Sequence, residues 1–308
     1  MTTAIEVRAL CRSYGQAIAL NDLNFTVERG ELFGLVGPDG AGKTTVLRIL
    51  AGVLRPTSGE AVVDGHSVVS DPEEVKDSIA YMSQRFGLYA DLTVRENIDF
   101  YADLYGVPRS ERPHRLERLY AFSRLGPFEH RLAGKLSGGM KQKLSLCCAL
   151  VHRPGILLLD EPTLGVDTIS RRDLWLLLHQ MVAEGVTVVV STAYLDEAER
   201  CYRVALLHGG RLLALDSPEV LQAGFPGELL EVQASDLRAA AAILKTLPSV
   251  RQAALFGDRI HVSVERASRD WPPAAAALVA AGVGDAQARP RRASLEDVFI
   301  ARLAEAAA

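Results

Sequence analysis

The sequence predicts an α/β fold with a buried, largely parallel sheet, followed by a smaller α+β region. Ile156–Asp160 and residues 186–191 are continuous apolar runs, which are typical of parallel strands buried on both faces. Leu32–Val36 is a shorter run of the same kind, and a glycine-rich turn joins it to a helical pattern at residues 45–51. Strand, tight turn and helix in this order are the building unit of α/β proteins.

The length and composition predict two domains. The chain has 308 residues, which is enough for a well-buried core and about two domains. The composition changes at the Gly- and Pro-containing stretch of residues 224–227, which indicates a linker. We therefore assign residues 1–222 to the first domain and residues 223–308 to a small accessory or regulatory domain.

Charge, cysteine content and hydropathy exclude several classes of protein. The net charge of -4 gives no basic surface of the kind that binds nucleic acid. The four cysteines lack metal-binding spacing and are expected to be buried, reduced side chains. We expect neither a signal peptide nor a membrane span, which requires about 18 or more consecutive apolar residues. The chain by itself is therefore predicted to be cytosolic.

The glycine-rich turn matches the phosphate-binding loop pattern in both spacing and context. Its glycines let successive backbone N–H groups converge on phosphate oxygens, and the helix start adds partial positive charge. Lys43 is expected to reach the outer phosphates, and the Thr44 hydroxyl to bind Mg²⁺. The sequence thus predicts a nucleoside-triphosphate site built from Gly37, Pro38, Asp39, Gly40, Ala41, Gly42, Lys43, Thr44 and Thr45.

An antiparallel pair of strands is predicted before this loop. Residues 4–10 and 17–27 are rich in β-forming residues and flank the turn at residues 13–15. Tyr14 lies on that turn. Its ring could stack on an adenine base, but its position alone favours a partly buried surface tyrosine.

After the loop, short strands are predicted at residues 61–65 and 79–83, the second of which leads to Gln84. Residues 93–105 have helical spacing and begin with a capping box of Thr93 and Glu96. Phe86 and Tyr89 precede this helix in a loop, and we expect them to form an exposed docking surface. A second, amphipathic helix is predicted at residues 111–125.

Another helix is predicted from Ser137 to about residue 151. Ser137 is a suitable N-cap, and Gly138 and Gly139 leave the first backbone N–H groups open. A helix start of this kind can bind an anion. Taken alone, however, the pattern favours an ordinary capped helix.

Two carboxylates end the apolar strand at Ile156–Asp160. In α/β folds the carboxyl ends of the strands carry the ligand site. Asp160 is therefore predicted to bind Mg²⁺ directly or through water, and Glu161 to act as the base that polarises an attacking water. A loop at residues 162–167 and a helix at residues 169–183 follow.

The chain beyond the linker at residues 224–227 contains no visible chemistry. A short helix at residues 195–201 and β segments at 203–207 and 211–215 complete the first domain. Beyond the linker, β-rich and Ala-rich segments alternate in the order β-α-β-β-α, with a last helix from Ser294, which suggests a split βαβ sandwich. The strands are predicted at 229–233, 250–256 and 260–264, and the helices at 236–246 and 272–281.

Together and in this order, the motifs resemble those of the nucleotide-binding subunits of ATP-binding cassette (ABC) transporters, over about residues 4–220. The resemblance implies a P-loop NTPase fold that has a mixed sheet, an antiparallel β subdomain and an α-helical subdomain. It implies adenine stacking by Tyr14, contact of Gln84 with Mg²⁺ and water, and catalysis by Glu161. Residues 163–167 resemble the family's dimer-contact loop.

The resemblance also implies partners. Ser137, Gly138 and Gly139 would contact the γ-phosphate of ATP held by a second subunit, so that ATP and Mg²⁺ close a homodimer or heterodimer. The loop from Gln84 to about residue 91 would relay this motion to a transmembrane permease. The tail at residues 294–299 resembles that of drug and polysaccharide exporter ATPases of the ABC-2 type. The subunit would then lie on the inner face of the membrane, and no nucleic acid partner is expected.

Two positions depart from the family pattern. Asp39 stands where an asparagine is usual, and Ala193 replaces the switch-loop histidine that would contact the γ-phosphate. We therefore expect slowed hydrolysis with intact ATP binding; His208 is a weaker candidate to take over the histidine's role. A soluble ABC ATPase of DNA repair or translation, and an ATP-gated clamp with little hydrolysis, are the rival interpretations.

Overall fold

The computed structural model describes residues 2–84 and 87–307. The chain divides into two compact units, with the division between Leu215 and Asp216. This is seven residues before the boundary expected from the sequence, because the helix Pro218–Ala223 packs against the last helix, Leu295–Ala307. None of the helices within the described ranges is long and apolar enough to cross a membrane.

The first unit contains two sheets and a group of helices. Its strands are β1 (Thr3–Tyr14), β2 (Ala17–Glu28), β3 (Leu32–Val36), β4 (Ser58–Val63), β5 (His66–Ser67), β6 (Ile79–Met82), β7 (Ile156–Asp160), β8 (Thr187–Thr192), β9 (Arg203–His208) and β10 (Arg211–Asp216). Its helices are α1 (Lys43–Leu50), α2 (Pro72–Ser78), α3 (Val94–Leu104), α4 (Arg112–Ser123), α5 (Gly138–Leu150), α6 (Thr168–Ala183) and α7 (Leu195–Ala198).

The smaller sheet of this unit is antiparallel and has the strand order β2-β1-β4-β5. The predicted pairing of β1 with β2 is confirmed, and Ile5 lies opposite Val27 in the register. Ile5, Leu10, Leu20 and Val27 are fully buried in the core shared with α1. This sheet is the antiparallel β subdomain expected from the sequence.

The larger sheet has six strands in the order β10-β9-β3-β8-β7-β6. The pairings of β9 with β3, β3 with β8, β8 with β7 and β7 with β6 are all parallel. Every residue of β3, β7 and β8 is buried, which explains their continuous apolar sequences. Since the four central strands run in the same direction, the segments that follow them meet at one edge of the sheet.

The α-helical subdomain consists of α3, α4 and α5 around an apolar core that includes Ile98, Leu116 and Leu144. The capping box predicted for α3 is present. Thr93 Oγ1 accepts from the N–H of Glu96 at 3.2 Å, and the N–H of Thr93 donates to the Glu96 carboxylate at 2.8 Å.

The second unit is an α+β sandwich. Its elements are α8 (Pro218–Ala223), β11 (Glu228–Gln233), α9 (Leu237–Thr246), β12 (Val250–Phe256), β13 (Arg259–Val264), α10 (Ala267–Ala280), β14 (Gln287–Arg291) and α11 (Leu295–Ala307). The strands form an antiparallel sheet in the order β12-β13-β11-β14, in line with the split βαβ prediction. The last helix begins after Ser294, as expected, but β14 was missing from the prediction.

Candidate nucleotide-binding site

The loop between β3 and α1 requires glycine at two positions. A Cβ atom on Gly37 would lie 2.2 Å from the carbonyl oxygen of Leu207, and Gly42 has a φ of 103°. A side chain at Gly42 would also come within 2.8 Å of the carbonyl oxygen of Ala19. Neither close approach nor a positive φ of this size is tolerated by an L side chain. The loop is therefore held tightly between its neighbouring strands.

Lys43 lies inside this loop and is 4% exposed. Its Nζ donates to the carbonyl oxygens of Gly37 at 2.7 Å and Pro38 at 3.1 Å, and it is 3.1 Å from Glu161 Oε1. The ammonium group is thus placed over the centre of the loop by neutral carbonyls and one carboxylate. An entering phosphate group would offer it a stronger, charge-assisted hydrogen bond than the carbonyls do.

Asp160 at the end of β7 is 1% exposed and receives two hydroxyl hydrogen bonds. Thr44 Oγ1 donates to Asp160 Oδ1 at 3.0 Å, and Ser191 Oγ donates to the same oxygen at 2.8 Å. Burial raises the pKa of the neighbouring Tyr81, and the negative charge of Asp160 raises it further. A threonine hydroxyl beside a carboxylate is a donor set that fits a small, hard cation with water completing its coordination.

Glu161 has a backbone conformation that non-glycine residues seldom adopt. Its φ is 49°, and its N–H donates to Ser191 Oγ at 2.9 Å. Its carboxylate is held between Lys43 and Gln84, whose Nε2 donates to Glu161 Oε2 at 3.1 Å. Left-handed backbone in a bulky residue costs free energy and is found mainly at functional sites. Lys43 and Gln84 are thus each in direct contact with Glu161.

The segment after β8 carries no ionisable side chain at position 193. Ala193 is exposed, and the N–H of Tyr194 next to it donates to Thr192 Oγ1 at 3.0 Å. His208, the alternative histidine, ends β9, and β3 separates β9 from β8 in the sheet. His208 is therefore not placed on the strand that leads to position 193.

Sequence reasoning missed Glu197, which organises the segment around Ala193. Its carboxylate is 1% exposed and accepts hydrogen bonds from Thr163 Oγ1 at 2.9 Å and Thr192 Oγ1 at 2.8 Å. Arg171 Nε lies 3.2 Å from its second oxygen. Glu197 therefore links the loop after β7, the end of β8 and helix α6. Its position in an acidic stretch at residues 196–199, of the kind usually found at the surface, gave no sign of this.

Tyr14 and Asp39 are both at the surface. The Tyr14 side chain is 47% exposed, and the guanidinium carbon of Arg12 lies 4.6 Å from its ring centroid. Asp39 is exposed at the tip of the loop. This placement of Tyr14 is compatible with both predictions, a surface tyrosine and an aromatic that stacks on adenine.

The start of α5 packs against its own chain. Ser137 caps the helix by accepting from the N–H of Met140 at 3.3 Å. A Cβ on Gly139 would lie 2.3 Å from Ser170 Oγ, at the start of α6, whereas a Cβ on Gly138 would lie 3.4 Å from the carbonyl oxygen of Gly165. Glycine is thus required at position 139 for α5 to pack against α6, whereas a Cβ atom at position 138 would make only an ordinary contact.

Of the two aromatic residues predicted to form a docking surface, Phe86 lies outside the described residues and Tyr89 is 47% exposed. The Tyr89 ring contacts the ring of Phe100 edge-on, with a centroid distance of 4.7 Å. We call the exposed group on this face the aromatic patch; it comprises Tyr89, Phe100, Leu104 and Tyr105. Asn97 holds the preceding loop, since its amide bonds to both the N–H and the carbonyl oxygen of Tyr89.

Comparison with known proteins places these features in one family. The profile of the family described as ABC transporter matches residues 20–164. The probable multidrug ABC transporter ATP-binding protein YbhF of Escherichia coli (strain K12) is 52% identical over 203 residues, which are 66% of this chain and 35% of YbhF. The chain thus spans only about a third of that relative's length.

A second relative is covered more fully. The Nod factor export ATP-binding protein I of Rhizobium sp. (strain N33) is 38% identical over 219 residues, which are 71% of this chain and 72% of that protein. Among solved structures, the dimeric ATP-binding cassette MJ0796, in a post-hydrolysis state bound to ADP and Pi, is 27% identical and superimposes with a TM-score of 0.63. That match covers 69% of this chain and 98% of MJ0796.

Proposed function

The chain belongs to the ATP-binding subunits of ABC transporters, and on this premise we propose that it is the ATP-hydrolysing motor of an ABC-2 type exporter. The observation that carries the proposal is the contact of Lys43 Nζ with Glu161 Oε1 at 3.1 Å. It joins a phosphate-binding cation to a carboxylate that can act as a base. The names of the relatives, a multidrug transporter subunit and a Nod factor export protein, support the exporter class.

In the proposed complex the triphosphate of ATP lies in the loop of residues 37–45. Backbone N–H groups and the start of α1 donate to the phosphate oxygens. Lys43 exchanges its carbonyl partners for the outer phosphates. Tyr14 stacks on the adenine, for which its exposed ring is available.

We assign Mg²⁺ binding to Thr44 and Asp160, with Gln84 as a further contact. Thr44 Oγ1 and Asp160 Oδ1 are 3.0 Å apart, and both are oxygen ligands of the kind that Mg²⁺ prefers. When bound, Mg²⁺ supplies neutralisation of the charge that develops on the β- and γ-phosphates. Ser191 helps to hold Asp160 in place through a second hydrogen bond to the same carboxylate oxygen.

Glu161 is the proposed base. In the free subunit its carboxylate is paired with Lys43 and Gln84. When Lys43 turns to the phosphates, the carboxylate of Glu161 is released to accept a hydrogen bond from the attacking water. The Gln84 contact is retained, and it keeps Glu161 oriented toward the water.

The proposed active unit is a dimer, either of two copies or of this chain with a relative. Ser137, Gly138 and Gly139 of one subunit would donate to the γ-phosphate held by the other, because a capped helix start is a natural anion site. The dimeric state of MJ0796 with ADP and Pi supports this arrangement. Binding of ATP closes the dimer and loss of phosphate opens it.

Ala193 favours a second candidate function, an ATP-gated clamp with little hydrolysis. A methyl group cannot donate to the γ-phosphate, and one charge-assisted hydrogen bond contributes about 1.5–3 kcal/mol. If that contribution is made in the transition state, its loss slows hydrolysis by roughly ten- to two-hundredfold. We prefer the slowed enzyme, because Gln84 and Glu161 remain in contact.

The proposed partner is a transmembrane permease that docks on the aromatic patch and holds the subunit at the inner face of the membrane. Tyr89, Leu104 and Tyr105 are 47%, 64% and 40% exposed, and contiguous exposed apolar surface marks an interaction site. The loop that carries Tyr89 follows Gln84 in sequence, so a change at the nucleotide can reach the patch through a short segment. We assign an accessory or regulatory role to the second unit.

Steady-state phosphate release by the purified protein tests this function. We expect slow, Mg²⁺-dependent release of phosphate from ATP, and a loss of a hundredfold or more in Glu161→Gln, in line with the ~10²–10⁴-fold contribution of a general base. Equal rates in the parent and Glu161→Gln would favour the clamp. Co-purification with a multi-span membrane protein would separate the exporter from a soluble ATPase.

A further inference from the structure

A cleft of about 710 Å³ opens between α4, α5 and α6 on the first unit. Its lining includes Arg153 and Gly155 before β7, and Glu184 and Val186 before β8. It therefore lies at the amino ends of these strands, whereas Asp160 and Ser191 mark their carboxyl ends. The cleft is separate from the nucleotide site, and its volume is typical of sites for small molecules.

The cleft has more positive than negative side chains in its lining. Two of its cations are matched by its own carboxylates: Lys143 pairs with Asp173 at 2.9 Å and Arg118 with Glu184 at 2.8 Å. A third, Arg115, pairs outside the lining with Glu111 at 2.6 Å. The lining has five cations for two carboxylates, and Lys143 and then Arg124 both lower the pKa of the Asp173 carboxyl.

Among the described residues, Arg124 and Arg153 are the two cations of the lining that make no ion-pair contact. Both guanidinium groups are exposed, and within the part of the chain that the structure describes neither makes a side-chain hydrogen bond or an ion pair. Each follows a helix and adopts a left-handed backbone, with φ of 59° and 60°. Two guanidinium groups with unused N–H donors on one cleft attract a carboxylate or a phosphate, which each can bind through two parallel N–H groups.

Most of the remaining lining is apolar. Phe122, Leu150 and Leu177 contribute to the wall, and Leu176 on α6 is 58% exposed in the free chain. An exposed leucine at the mouth of a partly closed cleft gains from contact with an aliphatic chain, since apolar surface is removed from water. Inorganic anions would leave this surface uncovered.

We propose that this cleft binds an anionic amphiphile, in which a carboxylate or phosphate head pairs with Arg124 and Arg153 and an aliphatic tail covers Leu176. The ligand would touch the end of α5, near Arg153, and the middle of α6, at Leu176. The first turns of the same helices carry Gly139 and Ser170, which lie against each other. The bound amphiphile would thus contact α5, whose start carries the proposed ATP-closing residues, and α6, which packs against that start.

Calorimetric titration of the full chain with decanoate and with decyl phosphate, below their micelle concentrations, tests the site. The comparison of the two probes distinguishes a carboxylate from a phosphate head. We expect saturable binding of one ligand per chain for at least one of them. The double variant Arg124→Gln/Arg153→Gln should weaken it about tenfold or more, because a charge-assisted hydrogen bond is lost at each position.

The matched control is Arg109→Gln/Arg238→Gln, which removes two exposed arginines that lie outside the lining. It should bind like the parent, and added salt should weaken binding in both proteins. Three outcomes would overturn the proposal: no saturable binding of either probe, equal binding by decyltrimethylammonium, or inorganic phosphate competing as well as decyl phosphate. The proposal would also be overturned if Arg124→Gln/Arg153→Gln kept the melting temperature of the parent and bound the two probes with unchanged affinity.

Discussion

Ala193 is the residue at which the sequence predicts the most consequential departure from the pattern of its family. The backbone around it is well held, since Thr192 accepts from the N–H of Tyr194 and donates to the buried Glu197. On that prediction, the chain lacks only the side chain that would contact the γ-phosphate. A substitution at this position therefore changes the chemistry without requiring a new backbone.

We predict that Ala193→His raises the steady-state rate of phosphate release by roughly ten- to two-hundredfold, the factor that corresponds to one charge-assisted hydrogen bond in the transition state. The affinity for ATP should change little. Ala193→Phe, which adds a ring of similar size without a donor, is the control and should not raise the rate. An unchanged rate in Ala193→His would show that the histidine position is not limiting.

At the scale of single residues, the sequence predicted which side chains meet but not how they are held. The spacing of the loop pointed to Lys43 and Thr44, and the acidic end of an apolar run pointed to Asp160 and Glu161. The positive φ of Glu161 could not be predicted, because it follows from contacts with strands distant in sequence. Ser191 was missed for the same reason, as a hydroxyl at the end of a buried strand has no local signature.

At the scale of elements, the start of α5 has two requirements in one short segment. Gly138 and Gly139 must leave backbone donors open for an anion, and Gly139 must also let α5 approach α6 closely. Open backbone donors are needed only in the proposed dimer, whereas the close approach of α5 to α6 is needed for the single chain to fold. Substitutions at the two glycines separate them.

We predict that Gly139→Ala lowers the free energy of unfolding by about 1–3 kcal/mol, as expected for overpacking against Ser170. Ser170→Gly should remove this clash, so the double variant should be more stable than the sum of the single effects by ~1 kcal/mol. Chemical denaturation measures both. Gly138→Ala, which meets only an ordinary contact at 3.4 Å, should leave stability nearly unchanged. Equal destabilisation by the two alanines would refute the packing argument.

Element prediction failed where the chain has no periodic apolar pattern. β14 contains Gln287, Arg289, Pro290 and Arg291, which are all exposed. It is an edge strand, where proline is tolerated because one side of the backbone faces solvent. Only its pairing with β11 defines it as a strand, and pairing between segments distant in sequence is not encoded in local composition.

At the scale of the whole molecule, the proposed function requires surfaces that meet other chains. The aromatic patch is one of them, and its side chains do not contribute to the nucleotide site. Its loop is connected to the site through Gln84, which contacts Glu161. Loss of the patch should therefore affect assembly and transport but not nucleotide affinity.

We predict that Tyr89→Ala, alone or with Phe100→Ala, reduces co-purification with the co-expressed permease while ATP affinity of the isolated subunit stays within about twofold. Val53→Ala is a matched control, since Val53 is also an exposed apolar residue, at 59%, and lies outside the patch. Pull-down and nucleotide titration provide the two measurements. Parallel loss of permease binding and ATP affinity would contradict the assignment of Tyr89 to docking.

The central claim is that this chain captures ATP between the Lys43 loop of one subunit and the Ser137 helix of another. Sedimentation of Glu161→Gln with and without Mg-ATP tests it most directly, because the variant should bind ATP without hydrolysing it. We predict a monomer without ATP and a dimer with it, and a monomer in both conditions for Lys43→Ala/Glu161→Gln. A Glu161→Gln protein that stays monomeric in saturating Mg-ATP, or a double variant that dimerises equally well, would contradict the account.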